Sequence, residues 1–309
     1  MTVVVFGSIN LDLVVEVAHL PAKGETVIGD RFFASAGGKG ANQAVAIAKL
    51  GIPVSLVGQV GDDTFGQTLI NSLQSSGVNT DGININSHTY SGIASIVVDR
   101  YGANTIACAG GANNLVREAE IQQFKKLLPQ AKIVLLELGI PLATVLTAAR
   151  EAKAHDCLLI LDPAPVTANL PEELYSLVDI ITPNEIEASQ LVGFTVDGVT
   201  TARQAASSLH QMGIKNVIIT LGSQGSLYSN ELESYWLKPI DVPVVDTVAA
   251  GDAFNGALAV GLASGKKIKE AVQWATVGAA LSVTKNGAQS SLPNKKSFQQ
   301  LLDQQTLLD

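Results

Sequence analysis

The chain has 309 residues, 47% of them hydrophobic, which is enough for one large α/β core with a small accessory piece. Its 28 acidic residues outnumber its 20 basic ones, and the formal net charge of -8 excludes a partner held mainly by its phosphate backbone, so no nucleic acid partner is expected. Cys108 and Cys157 lie far apart, with no Cys-x-x-Cys pair and no histidine at ligand spacing, so they suggest neither a disulfide scaffold nor a zinc site and read as small buried residues.

The first residues run straight into an apolar β-rich segment at 3–6 and reach Asp12 without a basic region, a long apolar run or a cleavage site. Every later apolar stretch is broken well before the ~18 residues of a spanning helix. A cytoplasmic protein without a membrane partner is expected. Further β-rich runs at 54–57, 133–136, 158–161, 180–182 and 217–221 are mostly separated by helical patterns. Those patterns cover 41–50, 65–75, 118–128, 142–154, 202–212, 254–264 and 268–284, with Gly51 and Gly213 where C-terminal caps belong. The alternation predicts an α/β fold with a mostly parallel central sheet flanked by helices.

Two stretches break this rhythm. In 11–33 Leu11, Leu13, Val15 and Val17 alternate, and 93–109 reads as a hairpin turning near Tyr101-Gly102. They flank the first helical unit, so they are expected to meet as a small β-sheet lid. That lid would be built from insertions at about 11–35 and 91–110 on one domain spanning 1–309. The other arrangement is extra antiparallel strands on the main sheet.

Four segments could carry chemistry. In Gly37-Gly38-Lys39-Gly40-Ala41-Asn42-Gln43 a glycine-rich turn feeds a helix, where glycines allow close approach and the helix start offers free N–H groups. It is no Walker loop, since Gly40 follows Lys39, and no dinucleotide fingerprint, since Gln43 stands where a third glycine belongs. A Gly-rich turn alone is often structural; the polar trio Lys39, Asn42 and Gln43 points beyond that. Asp12 follows the first strand, where α/β folds bind ligands, and one carboxylate can accept from two vicinal sugar hydroxyls; alone it would read as a turn residue. In Asp246-Thr247-Val248-Ala249-Ala250-Gly251-Asp252 small residues enter an apolar helix. Consecutive N–H groups there could hold an anion while Asp252 serves as base, although an N-terminal helix Asp also fits. Asn184 and Glu187, after the run at 180–182, fit either a capping box or a hydrated Mg²⁺ near phosphates.

In this order, the four segments resemble the ribokinase family of carbohydrate kinases nearly end to end. The resemblance rests on Gly-Gly-Lys-Gly-Ala-Asn-Gln-Ala around Lys39 and on Asp246-Thr247 through Gly251-Asp252 to Phe254 and Gly256. It implies ATP-dependent phosphorylation of a pentose hydroxymethyl, most like D-ribose, with Asp252 as base and Gly251 and Ala250 in the anion hole. By the same resemblance Asn10, Asp12, Gly38, Lys39 and Asn42 hold the sugar. Asn184 and Glu187 form the phosphate and Mg²⁺ motif, and Thr220, Gly222, Ser223 and Gly225 the nucleotide loop. A K⁺ activator is implied at Asp246, Val248, Ser282, Lys285, Gly287 and Ser291, mostly through carbonyl oxygens, and a homodimer through the lid. One departure stands out. Where these enzymes carry Gln-Leu-Glu before proline, this chain has Glu137-Leu138-Gly139-Ile140-Pro141, so Gly139 replaces a sugar-contacting Glu and Glu137 is the candidate to substitute for it. The alternatives are a kinase of fructose, deoxyribose or a nucleoside, and a silent sensor on the same fold.

Overall fold

The computed structural model describes residues 2–166 and 170–306. The first half of the chain runs β1 (Thr2–Phe6), β2 (Asn10–Val17), β3 (Arg31–Gly37), α1 (Lys39–Lys49), β4 (Val54–Gly61), α2 (Thr64–Ser75), β5 (Asn79–Asn86), β6 (Gly92–Asp99), β7 (Asn104–Ala109), α3 (Glu118–Leu127), β8 (Ala131–Glu137) and α4 (Leu142–Ala154). The second half runs β9 (Leu158–Asp162), α5 (Glu172–Leu177), β10 (Ile180–Ile181), α6 (Glu185–Val192), α7 (Val199–Gln211), β11 (Asn216–Thr220), β12 (Ser226–Ser229), β13 (Ser234–Leu237), α8 (Ala250–Ala263), α9 (Ile268–Ser282) and α10 (Lys295–Thr306).

Nine strands form the main sheet in the order β13-β12-β11-β10-β9-β8-β1-β4-β5. Strands β11 to β5 in that order pair in parallel, and β12 and β13 close one side antiparallel. Successive side chains of a strand point to opposite faces, which divides the core in two. Val3 and Val5 of β1 pack with α1, α2, α8 and α9, while Val4 and Phe6 pack with α3, α4, α5 and α7. Covered on both faces, β1 reads as an unbroken apolar run.

The two out-of-rhythm stretches form a separate four-stranded sheet, β3-β2-β6-β7, and add nothing to the main one. Its central pair, β2 and β6, is parallel; the outer pairs are antiparallel. One register row reads Ser35, Asp12, Ala94, Cys108, so these side chains share a face. Cys108 corrects the expectation of two buried cysteines: Cys157 is buried under the main sheet, whereas Cys108 is exposed on edge strand β7.

Strands β5, β12 and β13 and helices α5 and α10 are further elements that the sequence patterns do not mark. β5, Asn-Thr-Asp-Gly-Ile-Asn-Ile-Asn, is polar enough to read as a loop; it is a sheet edge and needs only one partner, β4. Among the described residues no helix is long and apolar enough to cross a membrane.

Candidate active site

The chemistry-bearing side chains gather at the C-terminal ends of β1, β8 and β9, where the first turns of α1 and α8 point inward. α8 starts after Ala249, which takes a left-handed conformation at φ 60°, and no side chain caps it. The first N–H groups of a helix have no partner within it, so this end carries partial positive charge. A side chain at Gly251 would meet nothing within 4 Å, so open space lies against this turn.

Asp252, in that first turn, is buried, and both of its oxygens are held. Asn42 Nδ2 donates to Oδ2 at 2.8 Å and Gln43 Nε2 to Oδ1 at 3.3 Å, both from α1. α1 can reach this close because Gly38, at φ 91°, lies against the backbone of residues 8–10, where a Cβ would come within 2.8 Å. Burial pushes the Asp252 carboxyl up, and the Lys39 ammonium with the two amides pulls it back.

Lys39, the first residue of α1, lines a cavity of about 180 Å³ with Asp162, Asn184, Glu187, Thr220 and the 249–252 turn. Burial pulls its ammonium down, but Asp162, Asp252, Glu187 and Glu137 outweigh this and hold the proton on firmly. The one ammonium is thus a fixed positive charge among carboxylates, suited to an anionic group.

On the smaller sheet, Asp12 lies close enough to Asp252 to feel its charge. Burial, and then the Asp252 charge, raise its carboxyl to about 7. Asn10 Oδ1 accepts from Asn113 Nδ2 at 2.7 Å. Asn113 also bridges both polar groups of the Ile9 backbone, a locking role that no spacing in the sequence announces.

Glu137, the candidate to stand in for a carboxylate at Gly139, is turned onto the loop backbone. It is fully buried, and its two oxygens accept from the Ser8 and Gly139 N–H groups, the latter at 2.6 Å. A Cβ at Gly139 would stand 2.7 Å from Glu137 Oε2 and 2.8 Å from Ser8 Oγ. Gly139 and Glu137 therefore fit each other: the carboxylate folds back onto the loop and braces it, because the loop amides offer it donors that the open cavity does not.

Asn184 and Glu187 form a reciprocal capping box at the start of α6, each side chain accepting from the other's N–H at 2.8 Å. Both also line the cavity, so the local and the ligand-facing roles coexist. Thr220 bridges to Asn184 and lines the same space. Beyond it, Gly222 and Gly225 take positive φ around Ser223, with Leu221 N–H bonded to Gly225 carbonyl at 2.8 Å.

The remaining predicted set lies behind α8. Asp246 accepts from Val248 N–H at 3.0 Å and from Gly287 N–H at 2.8 Å, drawing the segment before α8 against the loop after α9. Ser282 and Ser291 are fully buried there and Lys285 is exposed.

Asp162, at the end of β9, escaped sequence reasoning. It is buried, pairs across the sheet with Glu137, and accepts from Gln43 Nε2 at 2.8 Å. Burial raises its carboxyl well above the usual range. The signal was present: an acidic residue ending a parallel strand before Pro163, as Asp12 follows β1.

A polar cavity at an uncapped helix start, with one fixed ammonium and a carboxylate held in place, is the site of a phosphotransferase. The chain belongs to the pfkB family of carbohydrate kinases, whose model matches residues 1–295, and its fold is ribokinase-like. It is 41% identical to the ribokinase of Haemophilus influenzae over 98% of both chains. It is 36% identical to the deoxyribokinase of Salmonella typhimurium, over 98% of this chain and 99% of that one. Among solved structures it superposes on Arabidopsis thaliana ribokinase complexed with ribose and ATP. There the TM-score is 0.90 and the identity 34%, with 97% of this chain and 98% of that chain covered.

Proposed function

We propose that this protein transfers the γ-phosphoryl group of ATP to the terminal hydroxymethyl of D-ribose, giving ribose 5-phosphate and ADP. The observation that carries this reading is Asp252, held by Asn42 and Gln43 at the open start of α8 and facing Lys39. Asp252 takes the hydroxyl proton as the sugar oxygen bonds to the γ-phosphorus, and the bond to the β,γ-bridging oxygen breaks to release ADP. The N–H groups of Ala250 and Gly251 and the Lys39 ammonium receive the developing negative charge. Asn10, Asp12, Gly38 and Asn42 hold the sugar; Thr220, Gly222, Ser223 and Gly225 hold the nucleotide.

Mg²⁺ fits Asn184 and Glu187. It takes one or two protein oxygens plus waters and phosphates, and among the described residues no cluster of three or more acidic, His or Cys side chains forms a dedicated cage. When bound it neutralises phosphate charge. A K⁺ activator fits the paired loops around Asp246 and Ser282–Ser291, whose carbonyls suit a weakly hydrated cation. A homodimer fits the smaller sheet, where Phe32 and Ile106 are 65% and 55% exposed, and the protein is expected in the cytoplasm.

A second reading, 2-deoxyribose as acceptor, is favoured by the withdrawal of Glu137 and the absence of a side chain at Gly139, which leave the sugar side with fewer acceptors. ADP release with Mg²⁺, K⁺ and each sugar separates the two. Ribose-dependent turnover that falls about 10²- to 10⁴-fold in Asp252→Asn supports the first. A preference for deoxyribose moves the acceptor, and activity retained in Asp252→Asn removes the base.

A further inference from the structure

We propose that Gln43 is a positioning residue that fixes the plane of the Asp252 carboxylate, with Asp162 locking the Gln43 amide in turn. This rests on the reading of Asp252 as the base. Gln43 lies on α1, one residue beyond Asn42, and is fully buried. Its Nε2 carries two hydrogens and meets two acceptors, Asp162 Oδ2 at 2.8 Å and Asp252 Oδ1 at 3.3 Å. A primary amide can present either its nitrogen or its oxygen, and two carboxylate oxygens on one side select the nitrogen. Asp162 therefore does for Gln43 what a carboxylate does for a histidine tautomer: it decides which end faces the base.

The opposite end of the same amide supports a role beyond packing. Gln43 Oε1 is buried without a hydrogen-bond partner among the described residues. A stranded acceptor is a cost that a methionine of similar length would avoid while filling the same space. The polar nitrogen is what justifies it. Asn42 alone, at Oδ2, would leave the Asp252 carboxylate free to pivot about one contact; Gln43 at Oδ1 supplies the second point and defines its plane. Proton transfer depends on that aim. Lys39, Asp162, Glu187 and Glu137 complete the charged surroundings.

The test compares wild type, Gln43→Met and Gln43→Glu in ADP release with ribose, recording kcat and sugar KM across pH, with thermal unfolding to check folding. Gln43→Met is expected to lower kcat about 10- to 100-fold while ribose KM stays within about threefold. Its acid limb is expected to move to higher pH, because the charged carboxylate has lost a donor. Gln43→Glu, isosteric and wedged between two carboxylates, can donate one bond only while protonated. Its activity is expected to fall as pH rises past the point where that proton leaves. A folded Gln43→Met with the wild-type kcat profile overturns the proposal, as does a change confined to KM. If the Met variant does not fold, a wild-type profile in Gln43→Glu overturns it. Asp252→Asn run alongside keeps the two readings apart, since activity close to the wild-type level there sinks the base itself, whatever Gln43 does.

Discussion

Burial pushes the Asp12 carboxyl up to about 7, with the Asp252 charge adding to it. The native state therefore holds a proton that the unfolded chain, with an ordinary value of 3.8, has released. Stability contributed at this residue falls as pH rises through that window. Sugar binding runs the other way, since only the ionised carboxylate accepts from two hydroxyls. Ribose KM is expected to fall as pH rises from about 6 to about 8, and Asp12→Asn to flatten that dependence. Burial also pushes the Glu137 carboxyl up to about 7 and raises those of Asp162 and Asp252, so a slope surviving unchanged in Asp12→Asn would trace to one of these and refute the role given to Asp12. The sequence placed Asp12, Lys39, Asn42 and Asp252 among the candidates because Asp12 follows β1 closely and the other three lie in the first turns of α1 and α8, where helix geometry fixes the direction of the side chain. Glu137 was harder to read for the opposite reason. That carboxylate's direction is set by two loop N–H groups, and hydrogen-bond partners across 129 residues leave no periodic trace.

At the scale of elements, the long apolar runs were readable because both faces of β1, β4 and β8 are covered. β5 and β13 were not, since an edge strand can be polar on one side and still pair, and the buried β12 is only four residues, Ser-Leu-Tyr-Ser, too short to show a pattern. The smaller sheet was readable as strands, but not the parallel pairing of β2 with β6, which is a tertiary fact. That register brings Cys108 into the row of Asp12, and its thiol is raised by burial and by the Asp12 charge, with Lys39 opposing. A thiol reagent is expected to modify one cysteine in the folded protein, Cys108, while Cys157 stays protected by burial. The reaction should quicken with pH, as the thiolate is the nucleophile, and slow when ribose is present. Peptide mapping by mass spectrometry reads both. Equal labelling with and without saturating ribose would place the sugar away from this face of the sheet.

Across the whole molecule, Asp252 and Lys39 belong to helices packed on the main sheet, whereas Asp12 belongs to the smaller one. On the proposed reading the site is complete only when the two sheets hold a fixed separation. Edge strand β3 leaves unpaired backbone groups beside the exposed Phe32, which the register sets on the opposite face from Asp12 and Ile106, a surface that monomeric proteins usually shield. A second copy covering it would steady the sheet that carries Asp12. Light scattering after size exclusion is therefore expected to give twice the chain mass, and Phe32→Glu to give a single chain, because the new charge would have to be buried. In that variant the sugar KM should rise several-fold while kcat at saturating ribose changes less, since the base remains on the main body. A wild type that runs as one chain would remove the dimer, and a monomeric variant with unchanged KM would separate assembly from sugar binding.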